Sequence, residues 1–201
     1  VDLFYLHRDD RSIPVAEIVG YLNEFREAGK LRYFGCSNWE TDRMTEAQEY
    51  AKAHGLAGFV ADQRLWSMAD ADMAEYPWPG CTNMTEEAFA YHEKTGMAAF
   101  AYESQARGFF QKLQRNPEEV PENLRKIYGG TENLTRYERA LKLCDETGYS
   151  LSAVILAYLT NAPFPSSALI GPRTMEQMED SMAAADLVLT AEEYRFLRGD
   201  S

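Results

Sequence analysis

Five short runs of this chain are apolar at nearly every position: 1–7 (VDLFYLH), 31–37 (LRYFGCS), 57–63 (AGFVADQ), 97–103 (MAAFAYE) and 167–171 (SALIG). A strand with one wet face alternates polar and apolar residues. These runs mostly do not, which predicts strands of a parallel sheet covered by helices. Between them the apolar period changes from two to that of a helix. Residues 14–28 place Val15, Ile18, Val19, Leu22 and Phe25 on one stripe, with Pro14 at the start and Gly29 at the end. Further helices are predicted at 40–54, 85–95 and 132–147, closed by Gly55, Gly96 and Gly148. Another follows Ser150 as N-cap, with LSAVILAYL as a buried segment. Segments 175–185 and 191–198 each open on a capping box, Thr174 with Gln177 and Thr190 with Glu193.

The order is βαβαβαβαβα. Repetition of this unit implies right-handed crossovers and parallel strands. Two long loops, about 64–84 and 104–131, follow the C-terminal ends of strands, where long loops in α/β domains are usually functional. A doubly wound nucleotide fold would carry a glycine-rich fingerprint after its first strand, and none is present. The other option is a (β/α)₈ barrel, of which this chain supplies about five units.

Bulk properties narrow the function. The 201 residues are 45% hydrophobic, enough for one sizeable core in one domain. A net charge of −12 argues against nucleic acid or an anionic membrane as partner. A local basic site could still hold a nucleotide. Cys36, Cys81 and Cys144 are widely spaced and odd in number, which argues against a disulfide framework or metal cluster and for a reducing, cytoplasmic setting. No run is long enough to span a bilayer, and no signal peptide is visible. The sequons at Asn83 and Asn133 are read as chance without a secretory context.

Polar residues fall where the strands end: His7, Ser37 with Asn38, Gln63, Tyr102, and Arg173 with Thr174. Each has a plain structural reading. A lone histidine at a strand end is commonly a satisfied structural residue, Ser37-Asn38 could cap the next helix, Gln63 could hold a loop, and Thr174 is already an N-cap. Their joint placement on one rim, the catalytic face of a barrel, favours a site.

The segments DLFYLHRDD, GKLRYFGCSNW, VADQRLWS, FAYESQARGFF and LIGPRTMEQMEDSMAAADLVLTAEE resemble, in order and spacing, the aldo-keto reductase family, over essentially the whole chain. The resemblance implies the C-terminal part of a single (β/α)₈ barrel, from about its fourth strand onward, with the first three βα units absent. It implies reduction of aldehydes and ketones with NADPH, without a metal. Ser37, Asn38 and Gln63 would hold the nicotinamide carboxamide, Tyr102 would stack on its ring, and Glu103, Ser104, Gln105, Ala106, Arg107 and Gly108 would pass the pyrophosphate. Gly171, Arg173 and Thr174 would meet the ribose 2′-phosphate, with Gln177, Asp180 and Ser181 near the adenosine. His7 matches the histidine that orients the substrate carbonyl. Two positions depart from the family pattern: Glu103 stands where serine is usual, and Ser181 where asparagine is usual. A carboxylate at Glu103 is tolerable beside pyrophosphate only if it turns away or pairs with Arg107.

In the family the proton donor is a tyrosine tuned by a lysine and an aspartate, all three outside this segment. Lys30 cannot substitute, because it precedes its strand and lies about 20 Å from the rim at the opposite end. Tyr5 shares the face of His7 but sits about 7 Å deeper. Trp39 and Trp66, with Tyr76 and Trp78 in the rim loops, suggest an aromatic substrate pocket. The alternative reading is a truncated, non-catalytic relative that binds nucleotide or partners; a third is an unrelated (β/α)₈ enzyme. The first and last strands would be unpaired edges, prone to self-association or to pairing with a missing N-terminal part.

Overall fold

The computed structural model describes residues 1–199. Among them, strands β1 (Leu3–Leu6), β2 (Tyr33–Ser37), β3 (Ala61–Leu65), β4 (Ala98–Tyr102) and β5 (Ser166–Ala168) form one sheet. Every pairing is parallel, and the order in space is the order in sequence. Right-handed crossovers that always step in the same direction put every connecting helix on one face. A doubly wound sheet reverses direction partway and covers both faces. The sheet is therefore wound as a barrel wall, open because β1 and β5 each have a neighbour on one side only.

Helices α1 (Val15–Glu27), α2 (Thr41–Ala53) and α3 (Glu86–Thr95) follow the first three strands. Helix α6 (Thr131–Thr147), α7 (Leu151–Thr160), α8 (Met175–Met182) and α9 (Ala191–Arg198) complete the predicted set. Their ends carry the expected chemistry. Thr85, Ser150, Thr174 and Thr190 each accept an amide hydrogen of the first turn, and Gly96 and Gly148 close their helices in the left-handed conformation. Thr190 and Glu193 form the full box. The other box is displaced by one residue, since Gln177 accepts from the amide of Arg173 rather than that of Thr174. Helix α7 is buried from Leu151 to Leu159 and is the centre of the larger apolar core. Each of its leucine, isoleucine and valine side chains contributes about 1.5–3 kcal/mol by burial.

Two expectations are corrected. The third strand begins at Ala61, not at residue 57, and runs to Leu65, two residues past Gln63. The peptide groups at Ala57 and Phe59 are satisfied instead by helix side chains, Asn23 of α1 and Gln48 of α2. Segment 104–131 is also not an irregular loop. It contains α4 (Phe109–Arg115) and α5 (Glu122–Tyr128). Each is seven residues long, too short to display a period, and Pro117 and Pro121 interrupt the stretch between them.

The inner face of the sheet is closely packed at one point. The ring of Tyr5 lies across Gly35 and meets Phe100 edge-on at 6.0 Å. A Cβ on Gly35 would lie 2.6 Å from both the Tyr5 ring and the Ala61 carbonyl oxygen. Backbone cannot yield there, so Gly35→Ala should cost about 1–3 kcal/mol in urea denaturation. An unchanged midpoint would show that Tyr5 does not occupy this position.

Candidate functional site

The C-terminal ends of the strands converge on one rim, and two adjoining cavities open there. The smaller, about 330 Å³, is lined by His7, Arg8, Ser37, Asn38, Gln63, Tyr76, Trp78, Cys81, Tyr102 and Glu103. The larger, about 940 Å³, runs from Glu103 to α8 and includes Arg173. Glu103 borders both. His7, Ser37, Asn38, Gln63 and Tyr102 thus come together in the smaller cavity, and Arg173 lines the larger with most of the residues expected along the cofactor.

In the smaller cavity the His7 side chain is exposed and the amide of Gln63 is unpaired within the described residues. Ser37 accepts a hydrogen from Asn38 Nδ2 at 3.0 Å and keeps its own hydroxyl hydrogen available. Asn38 is different. Its Nδ2 donates to Ser37 Oγ and, at 3.2 Å, to the His7 carbonyl. Its Oδ1 accepts from the Thr82 amide at 3.1 Å and the Tyr102 hydroxyl at 2.7 Å. Two hydrogens and two lone pairs are all a primary amide has. Asn38 is therefore a brace between strand ends, fully committed within the protein. Its backbone is left-handed, at φ 59°, a conformation that asparagine tolerates better than most residues.

The two phenols that line this cavity hold their protons more tightly than a free tyrosine. Burial, then the Cys81 sulfur, pushes the pKa of Tyr102 up; burial, then the Glu103 carboxylate, does the same for Tyr76. Deeper in the sheet, burial and then Asp62 raise that of Tyr5. A phenol of raised pKa is a weaker proton donor.

The larger cavity is basic. Arg107, Lys112, Arg115 and Arg173 line it, against the carboxylates of Glu103 and Asp180. Glu103 is neutralised at once: its Oε1 lies 2.7 Å from Arg107 Nη2, and its Oε2 accepts from the Tyr128 hydroxyl at 3.0 Å. The remaining excess is positive, inside a chain of net charge −12. Burial, followed by Arg115 and Arg173, lowers the Lys112 pKa. Adding an anion here would relieve that repulsion. Polar groups continue along the wall. Gln105 donates to Ser181 Oγ at 3.2 Å, and Gln111 to Gln105 Oε1 and Ser152 Oγ, both at 3.2 Å.

The segment 103–108 is forced into an unusual path. Glu103, Ala106 and Arg107 have φ of 51°, 48° and 54°, with Gly108 at 74°. Such strain persists only where neighbours over-determine the backbone. Here the Ser104 hydroxyl donates to the Leu169 carbonyl, and Lys112 Nζ to that of Arg107. Arg107 also lies over the Trp78 ring at 4.5 Å and the Tyr76 ring at 5.6 Å. It fastens the loop after β3 to the loop after β4, across the boundary between the two cavities.

Four expected residues are placed elsewhere. Trp39 is 0% exposed and packs against Phe59 on the helix side of the sheet. Trp66 packs among Phe89, Tyr158 and Phe164. Neither lines a substrate cavity; Tyr76 and Trp78 do. Both lie just past the ends of their strands, and both turn toward the helices. Ala106 is buried in the core, and Thr174 is engaged as the N-cap of α8, outside the cavity wall. Sequence reasoning missed Lys112 and Arg115, whose signal was a pair of cations three apart on the undetected α4. It also passed over Arg8 and Cys81, which join the His7 cavity.

The sequence matches the model of the aldo/keto reductase family over residues 1–199. It is 26% identical over 198 residues to norsolorinic acid reductase B of Dothistroma septosporum, covering 96% of this chain and 47% of that protein. It is 28% identical over 206 residues to the aldo-keto reductase ausK of Aspergillus calidoustus, covering 98% and 48%. The chain thus spans about half the length of the curated relatives it matches. The crystal structure of a thermostable aldo-keto reductase in complex with the inhibitor epalrestat superposes with a TM-score of 0.68. That comparison covers 100% of this chain and 60% of the other, at 20% identity, a likeness of fold.

Removal of the Arg107 guanidinium should release the loop carrying Trp78. In Arg107→Ala, hydrogen exchange over residues 72–80 should accelerate, while α7 stays protected. Unchanged exchange in that loop would show that Arg107 does not fasten it.

Proposed function

Because the chain belongs to the aldo/keto reductase family, we propose that it supplies the cofactor cradle and the substrate-orienting histidine of an NADPH-dependent oxidoreductase acting on small aldehydes or ketones. The observation that carries this reading is the basic cavity, continuous at Glu103 with the cavity of His7. A dinucleotide phosphate is a long polyanion with an uncharged reactive end. The larger cavity offers Lys112, Arg115 and Arg173 to its phosphates. The smaller offers Gln63 and Ser37 to its carboxamide, each with a donor and an acceptor.

A bound nicotinamide supplies the hydride. The chain's own residues do the rest. Gln63 and Ser37 fix the ring edge, with Tyr102 beside it and Asn38 bracing the mouth. His7 donates a hydrogen bond to the substrate oxygen as negative charge develops there. Arg173, aided by Lys112 and Arg115, favours the 2′-phosphate and hence NADPH over NADH. Glu103 is turned onto Arg107 and Tyr128, so its charge does not oppose the pyrophosphate.

Burial raises the pKa values of Tyr76 and Tyr102, which makes both rim phenols weaker proton donors, and the tyrosine, lysine and aspartate that the resemblance implies for proton donation are not in this segment. The chain should therefore bind NADPH without reducing an aldehyde by itself. A fluorescence titration should find NADPH bound about tenfold more tightly than NADH, or better, as expected for a charge-assisted contact of about 1.5–3 kcal/mol. Arg173→Ala should lose most of that preference. No saturable binding of either nucleotide would exclude a cofactor cradle. Aldehyde reduction by the chain alone, abolished in His7→Ala, would mean that a donor is present after all.

The unpaired sides of β1 and β5 support self-association, or pairing with a segment that continues the barrel. Phe4 on β1 and Leu169 beyond β5 are exposed, and three free cysteines fit a reducing, cytoplasmic setting. Light scattering should give a mass above that of one chain. A monodisperse monomer at micromolar concentration would contradict self-association.

A further inference from the structure

Behind the sheet, away from the two cavities, lies a cluster of buried charge. On β3, Asp62 and Arg64 face the helices and are 0% and 1% exposed; His92 of α3 is 0% exposed beside them. Arg64 Nε donates to Asp62 Oδ2, and His92 Nε2 lies 3.2 Å from the same oxygen. The other ring nitrogen of His92 donates to the Met97 carbonyl at 2.9 Å. Cys36 of β2 and Met44 of α2 complete the surroundings, with sulfur contacts of 3.9 Å to Asp62 Oδ1 and Arg64 Nη2.

A buried ion pair is a poor source of stability, because desolvation offsets most of the attraction. Apolar side chains of the same volume would hold β3 to its helices as well. What they could not do is make directed bonds. Arg64 Nη2 donates to the Trp39 carbonyl at 3.0 Å, and Nη1 to the Asn83 carbonyl at 3.1 Å. Trp39 follows Asn38, and Asn83 follows Thr82. Asn38 and Thr82 are the pair that hydrogen-bond to each other at the mouth of the His7 cavity. One guanidinium therefore grips, from behind, the two segments that the Asn38 amide joins in front.

We propose that Arg64 is a positioning residue for the nicotinamide end of the site: anchored by Asp62 and His92, it holds the start of the loop after β2 and the end of the loop after β3 in register. This keeps Asn38 in its left-handed conformation and sets Ser37 and Gln63 at the spacing a carboxamide needs. Arg64 touches neither cavity. Its effect should be confined to the smaller one, since the larger is built from the loop after β4, from α4, and from the segment between β5 and α8.

This inference rests on the proposed dinucleotide site, and its test separates the two ends of the ligand. Arg64→Lys keeps the charge facing Asp62 but cannot reach both carbonyls. NADPH spans both cavities, whereas 2′,5′-ADP fills only the larger. In Arg64→Lys, NADPH affinity should fall about tenfold as Ser37 and Gln63 lose their spacing, with 2′,5′-ADP affinity unchanged. His92→Gln leaves the guanidinium and carboxylate in place and should give the same one-sided loss at smaller amplitude. Should Arg64→Lys not fold, His92→Gln decides. Equal losses for both ligands would make the cluster merely structural, and no loss for either would remove Arg64 from the site. Failure of both ligands to bind the unaltered chain would instead overturn the dinucleotide reading itself, and this inference with it.

Discussion

The side-chain amide of Asn38 is the junction on which the rim depends. It ties the end of β1 through the His7 carbonyl, the loop after β3 through the Thr82 amide, and the end of β4 through the Tyr102 hydroxyl. Parallel strands bring their C-terminal ends to the same side of a sheet but do not fix the distances among the side chains there. A fully hydrogen-bonded amide does. The cost is a left-handed backbone at a non-glycine residue; on the opposite face Arg64 donates to the carbonyl of the next residue, Trp39.

Electrostatics divides the rim. The acidic surface repels polyanions in general, while basic side chains in excess concentrate positive potential in one concavity. Glu103 cancels only the charge of Arg107, with which it pairs, and leaves Lys112, Arg115 and Arg173 to set that potential. Arg107 in turn depends on two aromatic rings from the loop after β3. Ion pair, cation–π contact and strained backbone thus form one unit at the boundary of the two cavities. In relatives about twice as long, the sheet described here corresponds to only part of the chain. Its two edges and open inner face are where further polypeptide would complete the wall.

The sequence by itself determined the elements that local chemistry controls. Strand runs without alternation announced a covered parallel sheet, and threonine, serine and glycine at helix ends placed most helices within a residue or two of where they lie. Counting polar residues at strand ends located His7, Ser37, Gln63, Tyr102 and Arg173 on one rim, because winding direction leaves no other place for them. What only the tertiary structure decided involves partners far apart in the chain. Asn38 and Tyr102 are 64 positions apart, and no local pattern says that the asparagine is saturated by such contacts and not open to a ligand. The turn of Trp39 and Trp66 toward the helices, the start of β3 at Ala61, and the meeting of α4's Lys112 with Arg173 have the same origin. Each follows from which surfaces packing buries against one another, and sequence periodicity carries no record of the partner.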